Sequence, residues 1–147
     1  MNLSIQFAAV IGLLVIATVG GLIWKAKTGT AKKISQGEVI DLKEIAAIKD
    51  GKPVTEFGER VTFLQFSSEV CSQCAQTARL FHELEAHHDD VLHIEVDITN
   101  RLDLANKFNI LQTPTTLVLD KNGVVTSRIG GAAKPQTIQD QLGSFHI

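Results

Sequence analysis

Cysteine is scarce in this chain of 147 residues: there are two, Cys71 and Cys74, three positions apart. That scarcity excludes a disulfide-stapled mini-protein, which scatters several cysteines along its length. A bridge between such close neighbours closes almost no loop and adds little stability through chain entropy. Chemistry is the better reason for keeping both thiols in one short motif. Tyrosine is absent, and the aromatic set is seven Phe and one Trp, which argues against a base-stacking surface. Neither sign of charge dominates, with 14 Lys and Arg against 16 Asp and Glu and a net charge of −2. No basic stripe is present, so a nucleic-acid partner is not indicated. Charged side chains are missing altogether from residues 1–24. The length suits one domain of ordinary size rather than two, and no internal repeat is found.

What fills the charge-free stretch is a run dominated by Leu, Ile, Val and Phe, ending at Trp24. A hydrocarbon layer about 30 Å thick needs roughly 20 apolar residues in helix, so residues 1–24 predict a transmembrane anchor, with residues 3–24 in the membrane. Trp24 suits the headgroup layer. A cleaved signal peptide fits less well, because no basic region precedes the apolar run and no small-x-small cleavage site follows it. Lys25, Lys27, Lys32 and Lys33 lie just after the span. The positive-inside rule then places the rest of the chain in the cytoplasm, with an extracytoplasmic domain as the alternative. Residues 25–36 are small, polar and basic, and read as a linker that serves as topology signal and spacer, with contact to anionic lipid as the alternative.

Residues 37–147 read as one globular domain. Val39 to Leu42 suggests a short strand, and Leu42 to Ile48 a weak helical face. A turn follows at Asp50-Gly51-Lys52-Pro53. Val61, Phe63, Leu64 and Phe66 form an apolar run expected to be a buried strand. A helix is expected over 74–88, a strand over 91–98, a helix over 101–108 and a strand over 115–119. Lys121-Asn122-Gly123 makes a hairpin turn into a strand over 124–129, and Pro135 is placed to start a helix over 135–142. Strands alternating with helices imply right-handed parallel crossovers, and the hairpin adds an antiparallel edge. The expected fold is α/β: a small mixed sheet flanked by helices on both faces, preceded by one transmembrane helix.

Cys71-Ser72-Gln73-Cys74 follows a strand and opens a helix. Unpaired N–H groups at a helix N-terminus carry partial positive charge, which stabilises a thiolate and lowers the thiol pKa. Cys71, the outer thiol, is expected to act as nucleophile on a disulfide, and Cys74, one turn on, to resolve the mixed disulfide. A pair of buried structural thiols is the bland alternative. A metal site is another, because Cys71-x2-Cys74-x12-His87-x5-His93 fits the spacing of a two-Cys, two-His zinc finger. Context speaks against it: the cysteines open a helix and His93 falls in an expected strand. No metal is therefore assigned, and His82, His87 and His88 read as a solvated helix end.

Several features in order carry a resemblance to the thioredoxin family over about 61–142. They are Phe63-Leu64-Gln65-Phe66 before the cysteine pair, Val96-Asp97 in the next strand, and Phe108-Asn109-Ile110 before Thr113-Pro114-Thr115. Asp120-Lys121-Asn122-Gly123 and Ile129-Gly130 follow. The resemblance implies a cis proline at Pro114 that faces the cysteines and keeps metal off them. It also implies that the Thr113 backbone pairs with bound substrate as a short strand. The chain departs from the family's pattern at four places. Val70 replaces the usual Trp, Ser72-Gln73 the usual Gly-Pro, Gln65 a buried Asp below the second cysteine, and Glu95 a Lys beside it. Gln65 cannot accept a proton as a carboxylate does; Glu95 could replace that function if it is buried with a raised pKa.

The function implied is a membrane-anchored thiol–disulfide oxidoreductase acting on proteins, with an electron-donor dithiol protein as partner. No cofactor is needed beyond the Cys71–Cys74 disulfide. The alternatives are a redox-inactive binding or adaptor module of the same fold at the membrane and, more distantly, a zinc-binding domain.

Overall fold

The charge-free run and the residues just beyond it form one helix, α1 (Leu3–Lys27), in the computed structural model, which describes residues 3–35 and 37–145. Every residue of α1 through Lys27 is exposed. Among the described residues it is the one helix long and apolar enough to cross a membrane. The chain does not then wander as a spacer. Within the segment expected to be linker, Ala31–Lys33 form β1, an antiparallel partner of a later strand, with Ala31 opposite Ile129 and Lys33 opposite Ser127. The strand expected at Val39 to Leu42 is reduced to one bridge, Val39 with Val124. It gives way to a single helical turn, α2 (Leu42–Ile45), capped by the Asp41 carboxylate, which accepts from the Lys43 amide. A minimal hairpin follows, β2 (Ile48–Lys49) and β3 (Lys52–Pro53), turning at Asp50-Gly51.

The remaining elements lie close to the expected places: β4 (Val61–Ser67), α3 (Ser72–His87), β5 (Val91–Asp97), α4 (Leu102–Lys107), β6 (Thr115–Leu119), β7 (Val125–Gly130) and α5 (Pro135–Ser144). The five-stranded sheet has the order β1-β7-β6-β4-β5. β4 and β5 are parallel, joined by the crossover helix α3, whereas β6 runs antiparallel to both β4 and β7. β4 is buried at all seven positions, as a central strand covered on both faces should be. Its alternate residues feed two cores. Val61 and Phe63 pack with Phe81, Leu84, Ile138 and Leu142 of α3 and α5. Leu64 and Phe66 pack with Ile45, Leu104 and Phe108 on the opposite face.

Candidate functional site

β4 ends at Ser67, and a short loop carries the chain to Cys71, the residue that caps α3. The loop is held from the neighbouring strand's end. The Glu69 amide donates to Thr99 Oγ1 at 3.0 Å, and Thr99 donates from both its amide (2.8 Å) and its hydroxyl (2.6 Å) to Asp97 Oδ1. Those donors hold the Asp97 carboxyl below the usual carboxylate range. At the cap, Cys71 Sγ accepts a hydrogen bond from the Cys74 amide at 3.1 Å. The two sulfurs are joined as a disulfide. Cys71 is half-buried while Cys74 is only 3 % exposed, so one sulfur faces outward and the other inward.

Across from the loop, Ser68 and Thr113 share a hydroxyl–hydroxyl hydrogen bond of 3.0 Å. The Thr113–Pro114 peptide is cis, and the Pro114 carbonyl accepts from the Gly131 amide at 2.8 Å. Thr113 and Pro114 are thus brought against the segment that leads to Cys71. Two apolar side chains stand out in solvent nearby in sequence, Val70 (97 % exposed) beside Cys71 and Leu111 (86 % exposed) before Thr113.

Beneath α3 lies a buried polar chain. Gln65 is fully buried, and its amide nitrogen donates to the Cys74 carbonyl at 2.9 Å and to Ser67 Oγ at 3.0 Å. Its oxygen accepts from His93 Nε2 at 3.0 Å, which makes the ring the Nε2–H tautomer. Ser67 in turn donates to Glu95 Oε1 at 2.6 Å. The chain terminates at an exposed carboxylate. Glu95 is therefore not the buried acid the sequence allowed for; it sits opposite Gln65 in the parallel register but points toward water at the sheet's edge. What lies under Cys74 is a neutral amide.

His93 was visible to sequence reasoning only as a rejected metal ligand. It is 2 % exposed and stacks on Phe81 with ring centroids 5.0 Å apart. Burial, with His82 and Lys49 adding positive charge nearby, pushes its pKa down to about 3. Glu85 accepts from the His93 amide at 3.1 Å and pairs with Lys49. The zinc-like spacing is not assembled: His87 is exposed, with Nδ1 2.7 Å from the Glu83 carbonyl oxygen, and His93 is committed to Gln65. No metal-holding group of side chains occurs among the described residues. Ser67 and Thr77, which accepts from the Ala133 amide at 3.3 Å, were missed. For Ser67 the signal was alternation: Val61, Phe63, Gln65 and Ser67 share one face of β4.

A strand–loop–helix unit with a disulfide at the helix cap is thus set against a cis-proline loop. The family model described as Thioredoxin matches residues 44–144. The chain belongs to the thioredoxin family. Among curated thioredoxins, Thioredoxin H5 of Oryza sativa subsp. japonica is 31 % identical over 78 residues, spanning 53 % of this chain and 57 % of the relative. The thioredoxin of Bacillus subtilis (strain 168) is 29 % identical over 93 residues, 63 % of this chain and 88 % of the relative. Among solved structures, Fasciola hepatica thioredoxin superposes with a TM-score of 0.52 at 19 % identity, covering 60 % of this chain and 83 % of that one. The oxidized form of mitochondrial thioredoxin 3 from Saccharomyces cerevisiae gives 0.52 at 20 % identity, covering 59 % and 80 %. These structural likenesses establish the fold. The paired cysteines at disulfide distance, in a thioredoxin domain, support thiol–disulfide oxidoreductase chemistry.

Proposed function

We propose that this thioredoxin-family protein is a membrane-anchored dithiol–disulfide oxidoreductase of protein substrates. The observation that carries the reading is the asymmetry of the pair: Cys71 at the surface on the cap of α3, Cys74 buried one turn below. In the reducing direction, Cys71 thiolate attacks one sulfur of a substrate disulfide. A Cys71–substrate S–S bond forms, the substrate's own S–S bond breaks, and the departing sulfur takes up a proton. Cys74 then attacks Cys71 Sγ, releasing the second substrate thiol and restoring the Cys71–Cys74 disulfide, so two electrons pass to the substrate. The oxidising direction is the reverse. An electron-donor or electron-acceptor dithiol protein closes the cycle, and no cofactor is required beyond the disulfide itself.

The α3 N-terminus favours the Cys71 thiolate. Thr113 and Pro114 form the opposing wall, where the Thr113 backbone pairs with an extended substrate segment. Val70 and Leu111 provide exposed apolar contact on either side. Gln65 holds the Cys74 carbonyl, and Glu95 anchors Ser67 at the far end of that chain. α1 is the anchor, and the lysines after it place the domain in the cytoplasm by the positive-inside rule; a reporter fused after residue 147 tests that side.

The central test uses the full chain in detergent. Cys71→Ser is expected to abolish exchange with protein disulfides. Cys74→Ser is expected to retain attack but stall as a mixed disulfide, seen as a covalent adduct on a non-reducing gel. If Cys74→Ser forms no adduct while Cys71→Ser does, the assignment of the two roles is wrong. If the unaltered chain shows no turnover, the protein is an adaptor and not an oxidoreductase; turnover that survives in both variants would mean that the Cys71–Cys74 pair does not carry it.

A further inference from the structure

The anchor joins the domain at one particular place. α1 ends at Lys27 and β1 begins at Ala31, so three residues separate helix from sheet. All three are tied down. The Thr28 amide and hydroxyl both donate to the Trp24 carbonyl at 3.0 Å, and the Thr30 hydroxyl donates to the Lys27 carbonyl at 2.7 Å. The Gly29 amide donates to the Gly130 carbonyl at 2.8 Å. Lys134 reaches back from the start of α5 to the Ala26 carbonyl at 3.0 Å. Gly29 is buried at φ +76°, and a Cβ there would strike the Ala132 carbonyl. Gly131, at φ +82°, leaves room only for the Thr28 methyl. A segment packed this closely is a joint, not a tether.

The far side of that joint is the redox site. Gly131 donates to the Pro114 carbonyl, and Ala133 donates to Thr77 of α3, one turn beyond Cys74. The residues 130–134 therefore touch the anchor, the cis-proline loop and the redox helix at once. Sheet register says the same. Gly130 pairs with Thr115 and Thr115 with Phe66, all at the end of the sheet from which the chain runs to Cys71. At about 4.8 Å per strand, Gly29 lies about 14 Å from Phe66. Five more residues, at most about 3.3 Å each, lead from Phe66 to Cys71, so the reactive sulfur lies within about 30 Å of the point where the chain leaves α1. Lys25, Lys27 and Lys134 gather at the same place and suit an anionic headgroup layer.

Resting on the reading of α1 as a membrane anchor, we propose that this joint holds the Cys71–Cys74 site at the bilayer surface. Its substrates are cysteine pairs of membrane proteins lying close to the bilayer on the same side. Disulfides carried far from the surface are out of reach. The two-electron exchange is the one written above; the joint selects which disulfide can meet Cys71.

The test uses the full chain in vesicles of phosphatidylcholine and phosphatidylglycerol. Two transmembrane peptides carry the same short disulfide loop, one directly after its span and one on a stiff helical spacer about 50 Å out. With the protein reduced beforehand, loss of peptide disulfide is followed by mass spectrometry. The near peptide is expected to exchange at least about tenfold faster, as a raised effective concentration requires. Inserting about a dozen Gly and Ser residues between Thr28 and Gly29 frees the domain and is expected to erase that preference, while exchange with oxidised glutathione stays unchanged. The two-peptide comparison on the unaltered chain stands even if the insertion misfolds. Equal rates, or a faster far peptide, with the protein still retained after an alkaline carbonate wash, overturn this proposal and leave the anchor standing. Release by the wash overturns both. Failure to exchange with either peptide or with glutathione overturns the oxidoreductase reading and this one with it.

Discussion

His93 is kept uncharged by burial, and that has a pH signature. The folded protein takes up a proton there only near pH 3, whereas the unfolded chain does so near 6.5. Between those values the unfolded state binds more protons, so stability rises with pH. The contribution is fully present above 6.5 and is lost as pH falls toward 3. At pH 5 the loss relative to neutral pH is about 2 kcal/mol, a window that lies above the ordinary titration of carboxylates. Thermal unfolding at pH 7 and pH 5 measures it, and His93→Phe should flatten the difference whatever it does to the baseline. Two threonines offer a second comparison. Thr77 satisfies the Ala133 amide, while fully buried Thr116, opposite Gln65, has a hydroxyl with no hydrogen-bond partner among the described residues. Thr77→Val is expected to cost about 1–3 kcal/mol by stranding a buried donor, and Thr116→Val to be neutral or slightly stabilising. Denaturant midpoints of the two variants should move apart; equal losses would contradict the hydrogen-bond account. Of these residues, the cysteines were legible because their role depends on local placement at a helix start. The burial of Gln65 was legible through the strand pattern and the family resemblance; that of His93 was not, since it depends on α3 lying over that face.

Elements with a strong local pattern formed where the sequence placed them. β6 runs over Thr115–Leu119 as expected, and α5 starts at Pro135, where a fixed φ suits the first helical position. The end of α5 is another matter. No basic residue occupies its last turn. Its carbonyls are met from 82 and 85 residues away by Arg60, which donates from Nη2 to Leu142 and from Nε to Phe145, both at 2.8 Å. Charged donors to orphan helix carbonyls contribute about 1.5–3 kcal/mol. Arg60→Gln is therefore expected to fray the last turn of α5, read as faster amide exchange there with little change in β4. Uniform loss of protection across the molecule would show that the contact is global rather than a cap. Such a cap leaves no local trace, because donor and acceptor meet only through the fold. β1 illustrates the same point: Ala31-Lys32-Lys33 has neither alternation nor bulk, and it becomes a strand because β7 presents an open edge to it.

At the scale of the molecule, β1 closes a sheet edge and joins it to α1. An uncovered edge is a template for pairing with another chain. A fragment of residues 37–147, the boundary that composition suggests, lacks β1. It is expected to melt several degrees below a fragment of residues 28–147, about 4–8 °C for each kcal/mol lost. It should also self-associate at lower concentration. Scanning calorimetry and light scattering on the two fragments check this, and equal midpoints would mean that β1 is only an ornament on the domain.

The sequence alone determined the parts that depend on near neighbours: a charge-free apolar run long enough for a bilayer, a central strand apolar on both faces, and a cysteine pair at a helix start. Those follow from period, length and covalent adjacency. Tertiary structure decided what distant segments do to one another. It set the strand order β1-β7-β6-β4-β5, turned a basic linker into an edge strand, and buried His93 against Gln65 while leaving Glu95 in water. It also brought the end of α1 to the same end of the sheet as the disulfide. Hydrogen bonds and burial between residues a hundred positions apart, such as Lys134 with Ala26, have no counterpart in any local window of sequence.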